Sequence, residues 1–203
     1  MALSPQHSPF PQTTGFAPGT GIATERGEVA VEDLKANDRI LTMDHGYRRL
    51  IWSGALPRPQ DHRLVRVPAD SLGPGLPQRP LHLGVHHRLL LSGPRVALHI
   101  GDHEALATAD HLAGTGRQSS DLLHSAPLFQ LLLGDHELIL ANGIWCESLF
   151  ADANWFTNPP AALGTHLRDC LRTPHIQTAR TCLSRQQTAA IMGPIRRDGG
   201  LAA

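Results

Sequence analysis

Thirteen histidines are candidates for chemistry in this sequence, and some are spaced as metal ligands can be. Two groups stand out among the 13 histidines, namely His82, His86 and His87, and His99 and His103. Histidines four residues apart can share a metal ion on a helix, but in a strand the same spacing separates them by about 13 Å. The first group lies in a strand-like segment, and Gly101-Asp102 interrupts the second. We therefore expect neither a metal site nor a cofactor.

The cysteines are too few and too widely spaced for a disulfide framework or a zinc knuckle. There are three, Cys146, Cys170 and Cys182, and no pair has the Cys-x-x-Cys spacing. Cys146 lies in an apolar, strand-like run, where a buried thiol usually packs rather than reacts. We expect no role in catalysis for it.

Short strand-like runs, separated by turn residues, continue from Thr20 to about Phe150. Asp44-His45-Gly46 is typical of a hairpin turn between two of them. Further runs cover 62–69, 81–91, 95–100 and 128–145, and the last reads as two apolar strands joined at Gly134-Asp135. Strands this short at this spacing predict an all-β domain.

A few segments depart from this pattern and define the predicted domain limits. Residues 29–34 and 102–114 could each form a helical turn, and from about Asn158 the sequence predicts one or two short helices interrupted by Pro174. We predict a disordered, proline-rich tail over residues 1–13, a β-rich domain over 14–155, and a helical extension over 156–203 with a disordered end.

The composition excludes several classes of function. The net charge is zero with histidine neutral, and the arginines are scattered, whereas nucleic-acid binding needs a clustered positive surface. The N-terminus lacks the basic start and apolar run of a cleavable signal, and no apolar stretch approaches the roughly 20 residues of a membrane helix. We expect a soluble monomer, cytoplasmic or secreted without a cleavable signal, with no nucleic-acid or membrane partner.

Three segments together carry a resemblance to a known family. Residues 15–41 resemble the opening block of the Hedgehog/intein (Hint) family, in its bacterial branch; the residues that fit are Phe16, Pro18, Gly19, Thr20, Ile22, Gly27, Val31, Leu34 and Asp38. Residues 72–93 resemble the segment with the second block, and residues 128–148 resemble the last two blocks. The resemblance implies an all-β, horseshoe-shaped fold of long bent strands with approximate two-fold symmetry and short C-terminal helices.

The resemblance also implies a reaction and the residues that would perform it. In the family, an N-terminal cysteine attacks the preceding carbonyl and converts an amide into a thioester, while a Thr-x-x-His block and a late histidine assist. The nucleophile position falls on Gly15, the hydroxyl position on Gly84, and the two histidines on His87 and His136. The two glycines leave their positions without a functional group.

The terminal His-Asn of inteins maps onto Glu147-Ser148, so the asparagine is absent. Thr13 and Thr14 are hydroxyl residues beside Gly15, but they are out of register with the nucleophile position and we expect them to be linker residues.

Three functions remain open from the sequence. The first is self-cleavage by an N–S acyl shift at the N-terminal junction, impaired or lost here, with the chain's own N-terminal segment as the ancestral substrate. The second is a non-catalytic binding or spacer module with the same fold. The third is a hydrolase that acts in trans through His87 and His136. Whether the chain is an enzyme is therefore left open.

Overall fold

The structure is a computed structural model that describes residues 13–56, 64–112, 127–158 and 171–193. The predicted N-terminal tail, apart from Thr13, lies outside these residues, as do Cys170 and the predicted end of the chain. No helix in the described ranges is long and apolar enough to cross a membrane.

Antiparallel strands dominate the described residues, as the sequence predicts for an all-β domain. The strands are β1 Gly21–Thr24, β2 Gly27–Ala30, β3 Arg39–Thr42, β4 Gly46–Arg49, β5 Trp52–Leu56, β6 Leu64–Val67, β7 Leu81–Gly84, β8 Arg88–Ser92, β9 Glu104–Thr108, β10 Leu128–Leu132, β11 Leu138–Ala141 and β12 Ile144–Glu147. The largest sheet has eight strands in the order β2-β1-β3-β11-β12-β8-β9, with β4 paired to β3. The β3–β4 pairing confirms the hairpin predicted at Asp44-His45-Gly46.

The sequence predicts two strands over 128–145, whereas the structure forms three. The chain turns twice, once after β10 and again at Asn142-Gly143, which joins β11 to β12. Asparagine followed by glycine is the commonest sequence for such a two-residue hairpin. The second turn places Glu147 next to β8, because β12 pairs with β8 through Cys146 and Leu89.

Two smaller strand pairs lie on either side of the N-terminal segment and position it. Strand β5 pairs with β10, and β6 pairs with β7. Phe16 forms isolated antiparallel bridges to Leu83 of β7 and to Phe129 of β10. The Phe16 side chain is 1% exposed and belongs to the main core. The segment around Gly15 therefore joins the two pairs as an additional short strand.

Four short helices accompany the strands in the described ranges. They are α1 Pro94–Ile100, α2 Ala109–Leu112, α3 Ala153–Thr157 and α4 Arg185–Met192, and a single 3-10 turn covers Val31–Asp33, within the helical turn predicted for 29–34.

The strand predicted over 95–100 is wrong, because this segment is helix α1. The prediction relied on alternation of Val96, Leu98 and Ile100, but Val96 is buried while Leu98 is 82% exposed. Pro94 at the first turn and Gly101 at the C-cap are the local signals of a helix. The helical turn expected in 102–114 is limited to α2, since Glu104–Thr108 forms β9.

The C-terminal segment is irregular, not helical, over most of its described length, whereas the sequence predicts helices there. Residues 171–184 contain no helix, and Cys182 forms a parallel bridge with Leu106 of β9. Helix α4 follows, with Ser184 and Gln187 forming a capping box at its start. Leu183 and Ile191 are buried in the main core. The described part of the extension is thus packed onto the β-rich domain.

Candidate functional site

The peptide bond between Thr14 and Gly15 lies in a clasp made by β7, β10 and the turn after β7. The Gly15 N–H donates to Nδ1 of His87 at 3.1 Å, and the Gly15 carbonyl accepts from the Gly84 N–H at 2.9 Å. The Phe16 N–H donates to the Phe129 carbonyl at 2.9 Å. Gly15 therefore contacts both Gly84 and His87 directly, although about 70 residues separate it from them in the sequence.

His87 is a buried, neutral imidazole that faces the nitrogen of this peptide bond. Burial lowers the pKa of His87 to about 4; Glu147 opposes the shift, while Arg88 and His136 add to it. Because Nδ1 accepts the Gly15 N–H, the ring proton of the neutral form is on Nε2. Nε2 is buried and has no hydrogen-bond partner among the described residues. The Phe16 ring packs edge-on against the imidazole, with centroids 4.4 Å apart.

The two glycines of the clasp stand where a side chain would collide with backbone. Gly15 has a φ of +115°, which side chains of L-residues rarely adopt. A Cβ at Gly15 would lie 2.7 Å from the Phe129 carbonyl oxygen, and a Cβ at Gly84 would lie 2.3 Å from the carbonyl oxygen of Thr13. The bound N-terminal segment therefore occupies the space that a hydroxyl residue at Gly84 would need.

His136 belongs to a second polar cluster, which borders His87. Its Nδ1 accepts from the Ala179 N–H at 2.9 Å, and its Nε2 lies 3.3 Å from Oε2 of Glu147. Oε1 of Glu147 accepts from the Arg88 N–H at 2.9 Å, and Oε2 accepts from the Arg88 guanidinium at 3.0 Å. His136 is thus connected to the residue after His87 through Glu147 and Arg88.

Glu147 is the charged centre of this cluster. Burial would raise the pKa of Glu147, but contact with His136 and the positive charge of Arg88, followed by His87, hold it at about 2. The side chain of Glu147 is 4% exposed and that of Arg88 is 23% exposed. Glu147 is consequently an ionised carboxylate beside the candidate site at neutral pH.

Several polar contacts of the site were not identified from the sequence. The Thr13 N–H donates to Nδ1 of His86 at 3.2 Å, and the His86 N–H donates to the Thr13 carbonyl at 2.9 Å. Nε2 of Gln130 donates to Oγ1 of Thr14 at 2.6 Å. Gln130 is 2% exposed, and its only sequence signal is that it is polar within the apolar run of β10.

The Cys146 side chain packs in the main core, as its apolar strand predicts. It is 0% exposed, and burial raises the pKa of its thiol well above the ordinary value, with the charge of Glu147 adding to the effect. A thiol in this environment carries almost no thiolate near neutral pH.

Comparison with protein families identifies the class to which this fold and this clasp belong. The model of the Hint domain matches residues 14–153. The chain therefore belongs to the Hint domain family, which confirms the resemblance carried by the three sequence blocks. The family is of the intein-like, autoprocessing type. The matched region ends at residue 153, so the extension predicted over 156–203 lies outside it.

Solved structures of inteins are among those similar to this chain. One is the Ssp DnaB mini-intein variant M86, with a TM-score of 0.45, 13% identity, and coverage of 68% of this chain and 96% of that chain. Another is a bacterial intein-like domain from Clostridium thermocellum, with a TM-score of 0.41, 14% identity, and coverage of 68% and 100%. A search of curated proteins finds no match.

Proposed function

We propose that this chain is an autoprocessing-type Hint domain that retains a proton-handling histidine at the Thr14–Gly15 bond but does not cleave that bond. The observation that carries the proposal is the 3.1 Å hydrogen bond between the Gly15 N–H and Nδ1 of His87. The nitrogen of Gly15 is the atom that must gain a proton when this bond breaks. His87 is therefore placed to handle that proton.

The site provides no attacking group for this bond. An acyl shift needs a side-chain sulfur or oxygen on the residue that follows the scissile bond, and Gly15 has no side chain. Gly84 supplies no hydroxyl, and its backbone N–H instead holds the Gly15 carbonyl. In this proposal the N-terminal segment remains in the site as an uncleaved strand.

His136 is proposed to act on His87 only indirectly. Its two ring nitrogens face the Ala179 N–H and the Glu147 carboxylate, and neither faces the Thr14–Gly15 peptide. Through Glu147 and Arg88 it fixes the start of β8, which follows His87 directly. His136 is therefore a positioning residue in this account.

A non-catalytic module is the second candidate function, and the packing of the clasp favours it. The missing side chains at Gly15 and Gly84 allow the N-terminal segment to pack against β7 and β10 as a permanent strand. A hydrolase acting in trans is disfavoured, because His87 and His136 are only 1% and 6% exposed.

The proposal can be tested with a reporter protein fused before residue 1 and treated with dithiothreitol or hydroxylamine. We expect no product that begins at Gly15 from the natural sequence. Gly15→Cys should give slow, thiol-dependent cleavage, since the new side chain has the strained geometry described above. Adding His87→Ala should abolish that cleavage. A Gly15 product from the natural sequence, or cleavage by Gly15→Cys that His87→Ala leaves unchanged, would contradict the proposal.

A further inference from the structure

Part of the wall around His136 comes from the C-terminal extension, beyond residue 153 where the family match ends. The Ala179 N–H donates to Nδ1 of His136 at 2.9 Å, and the centroid of the His175 ring lies 6.4 Å from that of His136. The Phe150 ring packs edge-on at 5.0 Å from the domain itself. The side chain of His136 is 0% exposed. A segment outside the family match therefore helps to keep this histidine from water.

The extension reaches His136 as a short segment, residues 178–183, which we call the strap. The strap is bonded to β9, the last strand in the order of the eight-stranded sheet. The Leu106 N–H donates to the Thr181 carbonyl at 2.9 Å, and the Leu106 carbonyl accepts from the Leu183 N–H at 2.8 Å. Leu183 is buried in the main core. The strap thus covers the edge of β9 that faces away from β8.

The strap also covers apolar side chains on one face of this sheet. Leu90, Leu106 and Leu138 form a small cluster contributed by β8, β9 and β11, and Ala179 packs against it. All three leucines are buried. Ala179 therefore has two roles, since its backbone contacts His136 and its side chain helps to cover the cluster.

Arg180 fastens the strap to two distant elements of the sheet. Its guanidinium donates to the Asp44 carboxylate through two nitrogens, at 2.7 and 2.9 Å, and to Glu104 through Nε at 2.6 Å. Asp44 lies in the turn between β3 and β4, and Glu104 begins β9, whereas β11, β12 and β8 lie between β3 and β9 in the sheet. Charge-assisted, two-pronged contacts of this kind are among the stronger hydrogen bonds in proteins. Loss of Arg180 would leave two partly buried carboxylates without their shared cation.

We infer that the strap completes the site from outside the family match, with Ala179 positioning His136 and Arg180 holding the strap closed over it. Because Nδ1 of His136 accepts the Ala179 N–H, the ring proton of the neutral form is on Nε2. Nε2 lies 3.3 Å from Oε2 of Glu147. Ala179 therefore fixes the tautomer through which His136 faces Glu147. Release of Arg180 frees Nδ1 and admits water to His136.

The closed strap keeps water from a cluster that borders His87. Charges attract more strongly where water is excluded, so the contacts of Glu147 with His136 and Arg88 depend on the closed state. Opening the strap should loosen the start of β8, which directly follows His87. The inference concerns access to His136 rather than the Thr14–Gly15 bond, so it and the proposed function can fail separately.

The test uses Arg180→Met in the full chain, which removes the charge and keeps the aliphatic part of the side chain. Diethylpyrocarbonate modifies histidine at an unprotonated ring nitrogen, so it should not react with His136 while Nδ1 is bonded to Ala179. We expect His136 to react about 10-fold faster or more in Arg180→Met than in the natural chain, as peptide mass mapping measures. Arg172→Met is the matched control, since Arg172 is an exposed arginine of the same extension outside the strap, and it should leave the rate unchanged.

A second variant breaks the same contacts from the domain side. Asp44→Asn combined with Glu104→Gln removes both charges that hold the strap and should also make His136 react faster. Hydrogen exchange shows whether the strap has opened, because the amides of Ala179 and Leu106 are bonded across it. Both amides should exchange faster in either variant, while the Phe16 amide in the clasp stays protected and shows that the domain remains folded. If the arginine variant does not fold, the carboxylate variant decides the question.

The nitrogen chemical shifts of the His136 ring distinguish positioning from simple packing. We expect the Nε2–H tautomer in the natural chain and a mixture of both tautomers once the strap is open. The inference is overturned if His136 stays unreactive, or keeps a single tautomer, after the amides of Ala179 and Leu106 have lost their protection. It is equally overturned if both amides stay protected in the two folded variants, because Arg180 would then not hold the strap.

Discussion

Replacing Gly84 by alanine should detach the N-terminal strand, although the change adds a single methyl group. The new Cβ would lie 2.3 Å from the Thr13 carbonyl oxygen and 2.7 Å from its carbonyl carbon. Both atoms are backbone, so no side-chain rotation can relieve the contact. The strand must move by roughly 1 Å to reach an ordinary van der Waals distance.

The size of the effect follows from the bonds that this movement strains. Backbone hydrogen bonds from Gly84 to Gly15 and from His86 to Thr13 are both 2.9 Å long, and the bonds to the rings of His86 and His87 are 3.2 and 3.1 Å. Each contributes about 0.5–1.5 kcal/mol net, and overpacking alone costs about 1–3 kcal/mol. We expect Gly84→Ala to lower the free energy of unfolding by about 3 kcal/mol.

Urea unfolding followed by tryptophan fluorescence measures this change, and hydrogen exchange locates it. Gly134→Ala is the matched control, because Gly134 is exposed and a Cβ there meets no atom within 4 Å. The control should stay within about 0.5 kcal/mol of the natural protein. The reasoning is refuted if Gly84→Ala matches the control while the amides of Gly15 and Phe16 remain protected.

Three further predictions concern the buried groups. The pKa of His87 is lowered to about 4, so as the pH falls the unfolded chain binds a proton at this histidine before the folded chain does. The free energy of unfolding should therefore fall by about 3 kcal/mol between pH 6.5 and 4. His87→Gln should reduce this dependence on pH, as measured by urea unfolding at each pH. A slope unchanged in His87→Gln would show that other groups cause it. Arg88→Met removes the main cation beside the Glu147 carboxylate and should lower the free energy of unfolding by about 3–5 kcal/mol. Adding Glu147→Leu should recover part of this loss in thermal or urea unfolding. A double variant no more stable than Arg88→Met would contradict the role given to this ion pair. Iodoacetamide should modify the exposed Cys182 in the native protein but Cys146 only after unfolding, as peptide mapping would show. Labelling of Cys146 in the native protein would contradict its burial.

Local sequence patterns predicted most of the β architecture because strands and turns leave local signals. The hairpin at Asp44-His45-Gly46 and the 3-10 turn at Val31–Asp33 were predicted from adjacent residues. The helix α1 was not, since a period of two over six residues can arise by chance, and only Val96 of its apolar residues is fully buried. The residues at its ends, Pro94 and Gly101, are typical of helix termini and indicate the helix more reliably.

Long-range contacts account for what the sequence could not predict. Cys182 forms a bridge with Leu106 of β9 instead of a helical turn, and this tertiary contact outweighs a sequence that favours helix. The order of the family blocks predicted that Gly15 and His87 meet. The contact of Thr13 with His86 depends on the register between two segments about 70 residues apart, and local sequence patterns do not encode that register.

The most direct test of the central claim is the intact mass of the freshly expressed chain, with sequencing of every N-terminus present. The account predicts that the Thr14–Gly15 bond is intact in every species, because His87 contacts its nitrogen but Gly15 offers no attacking atom. A single full-length species agrees with this prediction. A species that begins at Gly15 would contradict it.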